Sequence, residues 1–186
     1  MANKKILLTA FRGTSTETLV ADRNVQEQYE VLLLPNDMVK DSEFLVEALQ
    51  QEKFDYVISL GQRPNIKDKV HIETTARKGE LSIDTDFDCE GLKKWLEQNG
   101  LLSKISHNAG TSFCNELYWN GMKYLRDNNL DTQMVFMHVP FEKNTLDANL
   151  FGEKLFAGLE ETINGRRVLM SLSISSRTVI LRSLIK

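Results

Sequence analysis

Ser106–Asn115 (SHNAGTSFCN) places a cysteine just past a run of small residues and at the start of a helix-period stretch. Cys114 then falls in the first helical turn. Unpaired backbone N–H groups and the positive end of the helix dipole stabilise a thiolate there, so the thiol is expected below its ordinary value of about 8.5. The same N–H groups can hold an oxyanion. Ala109, Gly110 and Thr111 let a carbonyl approach the backbone, and Thr111 or Ser112 is available as the helix cap. The second chemical segment is Val135–Phe141 (VFMHVPF), in which His138 closes an apolar strand before Val139 and Pro140. A histidine at a strand end and a cysteine at a helix start can converge on one crevice edge, where the imidazole would serve as acid–base partner to the thiol. The interval between them suits one helix, a turn and the next strand.

The elements that must bring these residues together are visible as alternating patterns. Lys5–Phe11, Tyr29–Pro35, Asp55–Gly61 and Gln133–Phe141 are short apolar runs closed by Gly, Pro or polar residues, the pattern of interior parallel strands. Ser42–Glu52, Cys89–Gln98, Phe113–Arg126 and Leu146–Ile163 carry helical spacing between them. The alternation predicts an α/β fold: an open, mostly parallel twisted sheet with helices on both faces, in a single domain. Gln62–Asp88 is polar and weakly patterned, and reads as a loop over the ligand crevice at the carboxyl ends of the strands.

Composition narrows the function classes. A chain of 186 residues with 41% hydrophobic residues can bury one substantial core. The formal net charge of -3 gives no general attraction to phosphate backbones, which argues against nucleic acid as partner. No apolar run has the length of a membrane span, and the brief run after Lys4 and Lys5 reads as a strand rather than a secretion signal. Cys89 and Cys114 are too few for a disulfide scaffold and suit a reducing cytoplasm. His71 and His107 have no Cys or acidic neighbour at a recurrent ligand spacing, so no metal is expected, and GQRPN lacks the glycine spacing of a phosphate loop, so neither is a nucleotide cofactor. Residues 1–165 are read as the α/β domain. Residues 166–186 form a basic segment of undefined structure, with Arg166, Arg167, Arg177, Arg182, Lys186 and no acids. Such an end is solvated or contacts a subunit, which leaves homo-oligomerisation open.

The two chemical segments resemble the pyroglutamyl peptidase I (pyrrolidone-carboxylate peptidase) family of cysteine peptidases. Its signature, S-x-x-A-G-T-aromatic-x-C-N, is matched by Ser106, Ala109, Gly110, Thr111, Cys114 and Asn115, with the aromatic displaced by one to Phe113. Its H-V-P-aromatic motif is matched by His138, Val139, Pro140 and Phe141. Weaker similarity runs through LTAF, through Ser59–Arg63 and through the helix Leu146–Ile163, and ends near Asn164. The resemblance implies an open α/β fold, a Cys-His-Glu triad that needs no metal or cofactor, and hydrolysis of the amide bond after an N-terminal pyroglutamate. The partners it implies are small peptides with a blocked N-terminus.

Two departures stand out. The family's G-Q-A-G-G-R and I-x-x-E-R-V-A-x-N become GQRPNIKDKVHIE, one residue shorter before the acid, so that Asp68 stands where the family has Glu and Glu73 is the substitute. The family's G-F-E-P-F-G-G survives as Ala10-Phe11-Arg12-Gly13, leaving Phe11 as one wall of the acyl pocket, with Gln62 and Arg63 implied to position the substrate or oxyanion. These changes also admit two other readings: a catalytically impaired binding or regulatory module, or an amidase for another small acyl or lactam group.

Overall fold

A computed structural model describes the backbone of residues 4–182 and the side chains of residues 4–165. Its centre is a six-stranded sheet built from β1 (Ile6–Phe11), β2 (Glu30–Leu34), β3 (Tyr56–Arg63), β4 (Lys69–Glu73), β7 (Leu102–Ser106) and β8 (Gln133–Pro140). The spatial order is β2-β1-β3-β8-β4-β7, while β5 (Thr75–Lys78) and β6 (Leu81–Asp84) pair as a separate hairpin. The central strands β1, β3 and β8 are almost wholly buried, as their continuous apolar runs require of strands covered on both faces. Every pair in the large sheet is parallel except β4 with β8. Only residues 64–68 join β3 to β4, too few for the crossover that a parallel return needs. The stretch Gln62–Asp88, expected as a loop, instead supplies the end of β3 and the three strands β4, β5 and β6.

Alternation along the strands sorts their side chains into two cores. On one face Leu8, Ile58, Leu60, Ile72 and Met137 pack under α1 (Ser15–Val20), α2 (Arg23–Gln28), α4 (Cys89–Gln98) and the start of α6 (Ala148–Arg182). On the other, Leu7, Phe11, Val57, Met134 and Phe136 pack under α3 (Lys40–Gln51), α5 (Phe113–Asp127) and the hairpin. The short helices α1 and α2 lack a long periodic pattern and escape sequence reading. They are set instead by side-chain caps, Thr14 accepting from the Thr16 N–H and Asp22 from the Asn24 N–H. The side chains of the basic segment, on which the expectation of a subunit contact rests, lie outside the described residues.

Candidate active site

The site is built on the α3/α5 face at the carboxyl ends of β3 and β8. Gly61 of β3 stands opposite His138 of β8 in the parallel register, and β4 brings His71 opposite His138 from the other side. Two-residue periodicity then puts Arg63, Gly61, His138, His71 and Glu73 on one face of the sheet. The Cys114 sulfur sits over this row: a Cβ added to Gly61 would lie 2.8 Å from Sγ and 2.7 Å from Cζ of Phe136. Glycine at position 61 is therefore what lets the first turn of α5 rest the thiol on the Gly61–His138 rung. Asn115 fixes that turn, because its amide donates to the Arg77 carbonyl at 2.7 Å and accepts from the Arg77 N–H at 3.1 Å. Gly110 adopts φ 94, a left-handed conformation suited to glycine, and its N–H donates to Asn108 Oδ1.

The acid against His138 is Glu73. Its Oε1 lies 2.8 Å from Nδ1 of the imidazole, and both side chains are buried. The alignment that favoured Asp68 is corrected by the strand: β4 begins at Lys69, and Glu73 at its far end faces His138's side of the sheet. Asp68 lies before β4 with φ 42 and serves the neighbouring loop, accepting from the Leu146 N–H at 2.7 Å while its own N–H donates to the Asn144 carbonyl. The shortened loop moves the position that resembles the family's Glu away from the histidine, and a carboxylate five residues on takes the place beside it.

Charge at the site is unevenly distributed. Burial works to raise the Glu73 carboxyl, but hydrogen bonds from His138 and Ser106 and the positive charges of His138 and Arg63 outweigh it and hold the group below the usual glutamate range. Arg63 is 3.7 Å from Glu73 Oε1 and also donates to the Asn108 carbonyl at 3.4 Å, which ties the segment leading to Cys114 onto β3. The thiol behaves opposite to the sequence expectation. Burial pushes Cys114 up to about 12; its own backbone N–H and Arg63 lower it less, while Glu73 and Asp41 add to the rise. The first helical turn does not outweigh desolvation. Burial likewise lowers His71, partly offset by Glu73. Ser112 is the cap residue of α5 but makes no capping hydrogen bond, and this differs from the expected Thr111 or Ser112 cap.

The remaining sequence candidates separate. Arg63 is in the cluster. Gln62, one residue away, points through the sheet to the opposite face, where its carbonyl accepts from the N–H and hydroxyl of Ser15 at 3.1 and 3.2 Å. There it borders a cleft of about 830 Å³ with Thr14, Ser15, Phe141 and Lys143, away from the thiol. Phe11 is on the Cys114 side but only 3% exposed, packed into the core rather than lining an open pocket. His71 went unassigned in the sequence, since its place depends on the antiparallel β4–β8 register that only the fold reveals. Among the described residues no group of three or more His, Cys, Asp or Glu is placed to hold a metal ion.

No sequence-family model matches the chain. Curated relatives do. A pyrrolidone-carboxylate peptidase of Thermoanaerobacter sp. (strain X514) is 26% identical, with 74% of this chain and 82% of the relative covered. One from Bacillus licheniformis is 25% identical over 91% of this chain and 92% of the relative. The chain is similar to the pyrrolidone-carboxylate peptidases over most of its length. The crystal structure of pyroglutamyl peptidase I from Bacillus amyloliquefaciens shares the fold with TM-score 0.71 at 18% identity, covering 83% of this chain and 92% of that one. The pyrrolidone carboxyl peptidase from Thermococcus litoralis gives 0.71 at 20% identity, covering 87% and 94%. On that shared fold, this chain carries both sequence motifs and places Glu73, rather than Asp68, beside His138.

Proposed function

We propose that this protein is a cysteine peptidase that removes the N-terminal pyroglutamyl residue from peptides, with Cys114 as nucleophile, His138 as acid–base and Glu73 as the acid that orients the imidazole. The observation that carries the reading is the convergence of Cys114 Sγ on the Gly61–His138 rung with Glu73 Oε1 2.8 Å behind the ring. If Nδ1–H donates to Glu73, Nε2 is left unprotonated and able to receive the thiol proton. A thiol raised to about 12 is neutral in the resting protein, so its deprotonation accompanies attack. Sulfur bonds to the acyl carbon as the proton passes to His138, backbone N–H groups near Cys114 hold the oxyanion, and His138 then protonates the departing amine as the C–N bond breaks. Water hydrolyses the thioester by the reverse proton path.

Arg63 fits a supporting role, since it neutralises Glu73 and holds the segment before Cys114. Small peptides with a blocked N-terminus are the proposed substrates, and the cytoplasm is the proposed setting. Among the described residues no helix is long and apolar enough to cross a membrane. Residues 1–165 would be the hydrolytic unit and 166–186 an accessory segment. The test is hydrolysis of a chromogenic pyroglutamyl amide beside other aminoacyl amides. Turnover of the pyroglutamyl compound that disappears in Cys114→Ala supports the assignment, and turnover only of other acyl amides contradicts it.

A further inference from the structure

Three buried side-chain polar atoms among the described residues lack a hydrogen-bond partner: Tyr29 Oη, Glu73 Oε2 and Asp41 Oδ2. Glu73 belongs to the site above, and Tyr29 packs in the core of the opposite face. Asp41 is different. It is 1% exposed, in the first turn of α3, just past the carboxyl end of β2. Its Oδ1 accepts from the N–H of Asn36, whose φ of 67 bends the loop back, and its own N–H donates to the Asp37 carbonyl at 2.9 Å. The second oxygen is left in the interior without a donor, an arrangement that is costly unless something else supplies one.

The position of Asp41 relates it to Cys114. Helices α3 and α5 run side by side in the same direction: Asn120 donates to Ser42 Oγ at 3.0 Å, and Leu45 is the neighbour that a Cβ on Gly121 would meet at 2.9 Å. Asp41, one turn before Leu45, is therefore level with Leu117, one turn after the cysteine. With Glu73 and Arg63, Asp41 is one of the charged groups that act on the Cys114 thiol.

We propose that Asp41 is a specificity-determining residue of this site, its second carboxylate oxygen accepting a hydrogen bond from the ring N–H of the lactam held over Cys114. This rests on the pyroglutamyl reading. A lactam ring carries no charge and offers one N–H donor, and a buried acceptor lacking a donor complements it. Acyl groups without that N–H would leave the oxygen unpaired and be disfavoured.

The test compares two chromogenic amides, the pyroglutamyl compound and its lactone analogue in which ring oxygen replaces ring N–H. The wild-type protein should favour the lactam in kcat/KM by about 10²-fold or more. In Asp41→Asn the side-chain carbonyl can keep the Asn36 N–H, but an amide N–H then meets the ring donor. The preference should collapse to within about threefold of unity, through a higher KM for the lactam with the lactone little changed. If Asp41→Asn does not fold, the same ratio is read in Asp41→Ser. A wild-type ratio near one, or an unchanged ratio in the variant, overturns the role of Asp41 while leaving the pyroglutamyl activity standing. Failure of the wild-type protein to turn over either ring overturns the functional reading, and the Asp41 assignment with it.

Discussion

At the carboxyl end of β3 three consecutive residues serve two faces of the sheet. Gly61 and Arg63 face α5, where one makes room for the thiol and the other steadies Glu73 and the segment before Cys114. Gln62 faces α1, where it ties Ser15 to the sheet and borders an unrelated cleft. Both faces bury apolar cores, and the α5 face gathers a thiol, an imidazole, a carboxylate and a guanidinium. Sequence adjacency places a residue in the right loop; strand parity decides whether its side chain reaches the chemistry.

The strongest way to break this contrast is on the α5 face itself. Cys114→Ala and His138→Ala should each lower turnover of a pyroglutamyl amide by about 10⁴-fold or more while the fold persists, as read by steady-state kinetics beside circular dichroism. Residual turnover within tenfold of wild type would move the chemistry elsewhere. Gly61→Ala should come next. Its Cβ would press on both Sγ and the Phe136 ring, so about 10²-fold loss in kcat/KM and about 1–3 kcal/mol of destabilisation are expected, measured by kinetics and chemical unfolding. A fully active variant would mean that the thiol does not rest on that strand.

Much of the α5 face is legible in the sequence alone. The Cys114 and His138 segments carry their chemistry in contiguous motifs, and the long apolar runs of β1, β3 and β8 announce interior strands. The carboxylate beside His138 is not legible in the same way. Glu73 and Asp68 are both polar neighbours of Val70, and a sequence comparison through a shortened loop favours the one in the familiar position. The choice is made by where β4 begins and by its antiparallel register with β8, which are long-range facts. Phe11 illustrates the converse: it lies on the Cys114 face, but its burial in the core does not follow from its being the surviving aromatic of a loop. The thiol's ionisation is not legible there either, because a helix start is a local feature, whereas desolvation by the packed strand beneath it is not.

That last point gives a titration test. With Cys114 raised to about 12, alkylation of the thiol by iodoacetamide, followed by mass mapping, should be slow at neutral pH and climb by about tenfold per pH unit past pH 9. A plateau near pH 8 would indicate a thiolate stabilised by the helix start after all. Glu73 titrates on the acid side. Its carboxyl is lowered by folding, so its contribution to stability is fully present above the ordinary value of 4.5 and is lost as pH falls through the lower folded-state value. Glu73→Gln should therefore flatten the acid limb of an unfolding-stability profile below about pH 4.5, and an unchanged limb would contradict the assigned shift. The smallest effect belongs to the other face: Gln62→Ala should cost about 1 kcal/mol through the lost Ser15 hydrogen bonds and leave kcat/KM within about threefold. A larger kinetic loss would bring Gln62 back into the site.

The most direct measurement is kcat/KM on a chromogenic pyroglutamyl amide for Glu73→Gln and Asp68→Asn side by side. Glu73→Gln keeps the size of the group beside His138 but removes the charge that holds the imidazole and stabilises its protonated form, and should lose about 10²–10⁴-fold, mainly in kcat. Asp68→Asn disturbs only a loop bond to Leu146 and should stay within about threefold of wild type. The reverse order, with Asp68 essential and Glu73 dispensable, would contradict the displaced acid and return the third member to the position that its sequence context resembles.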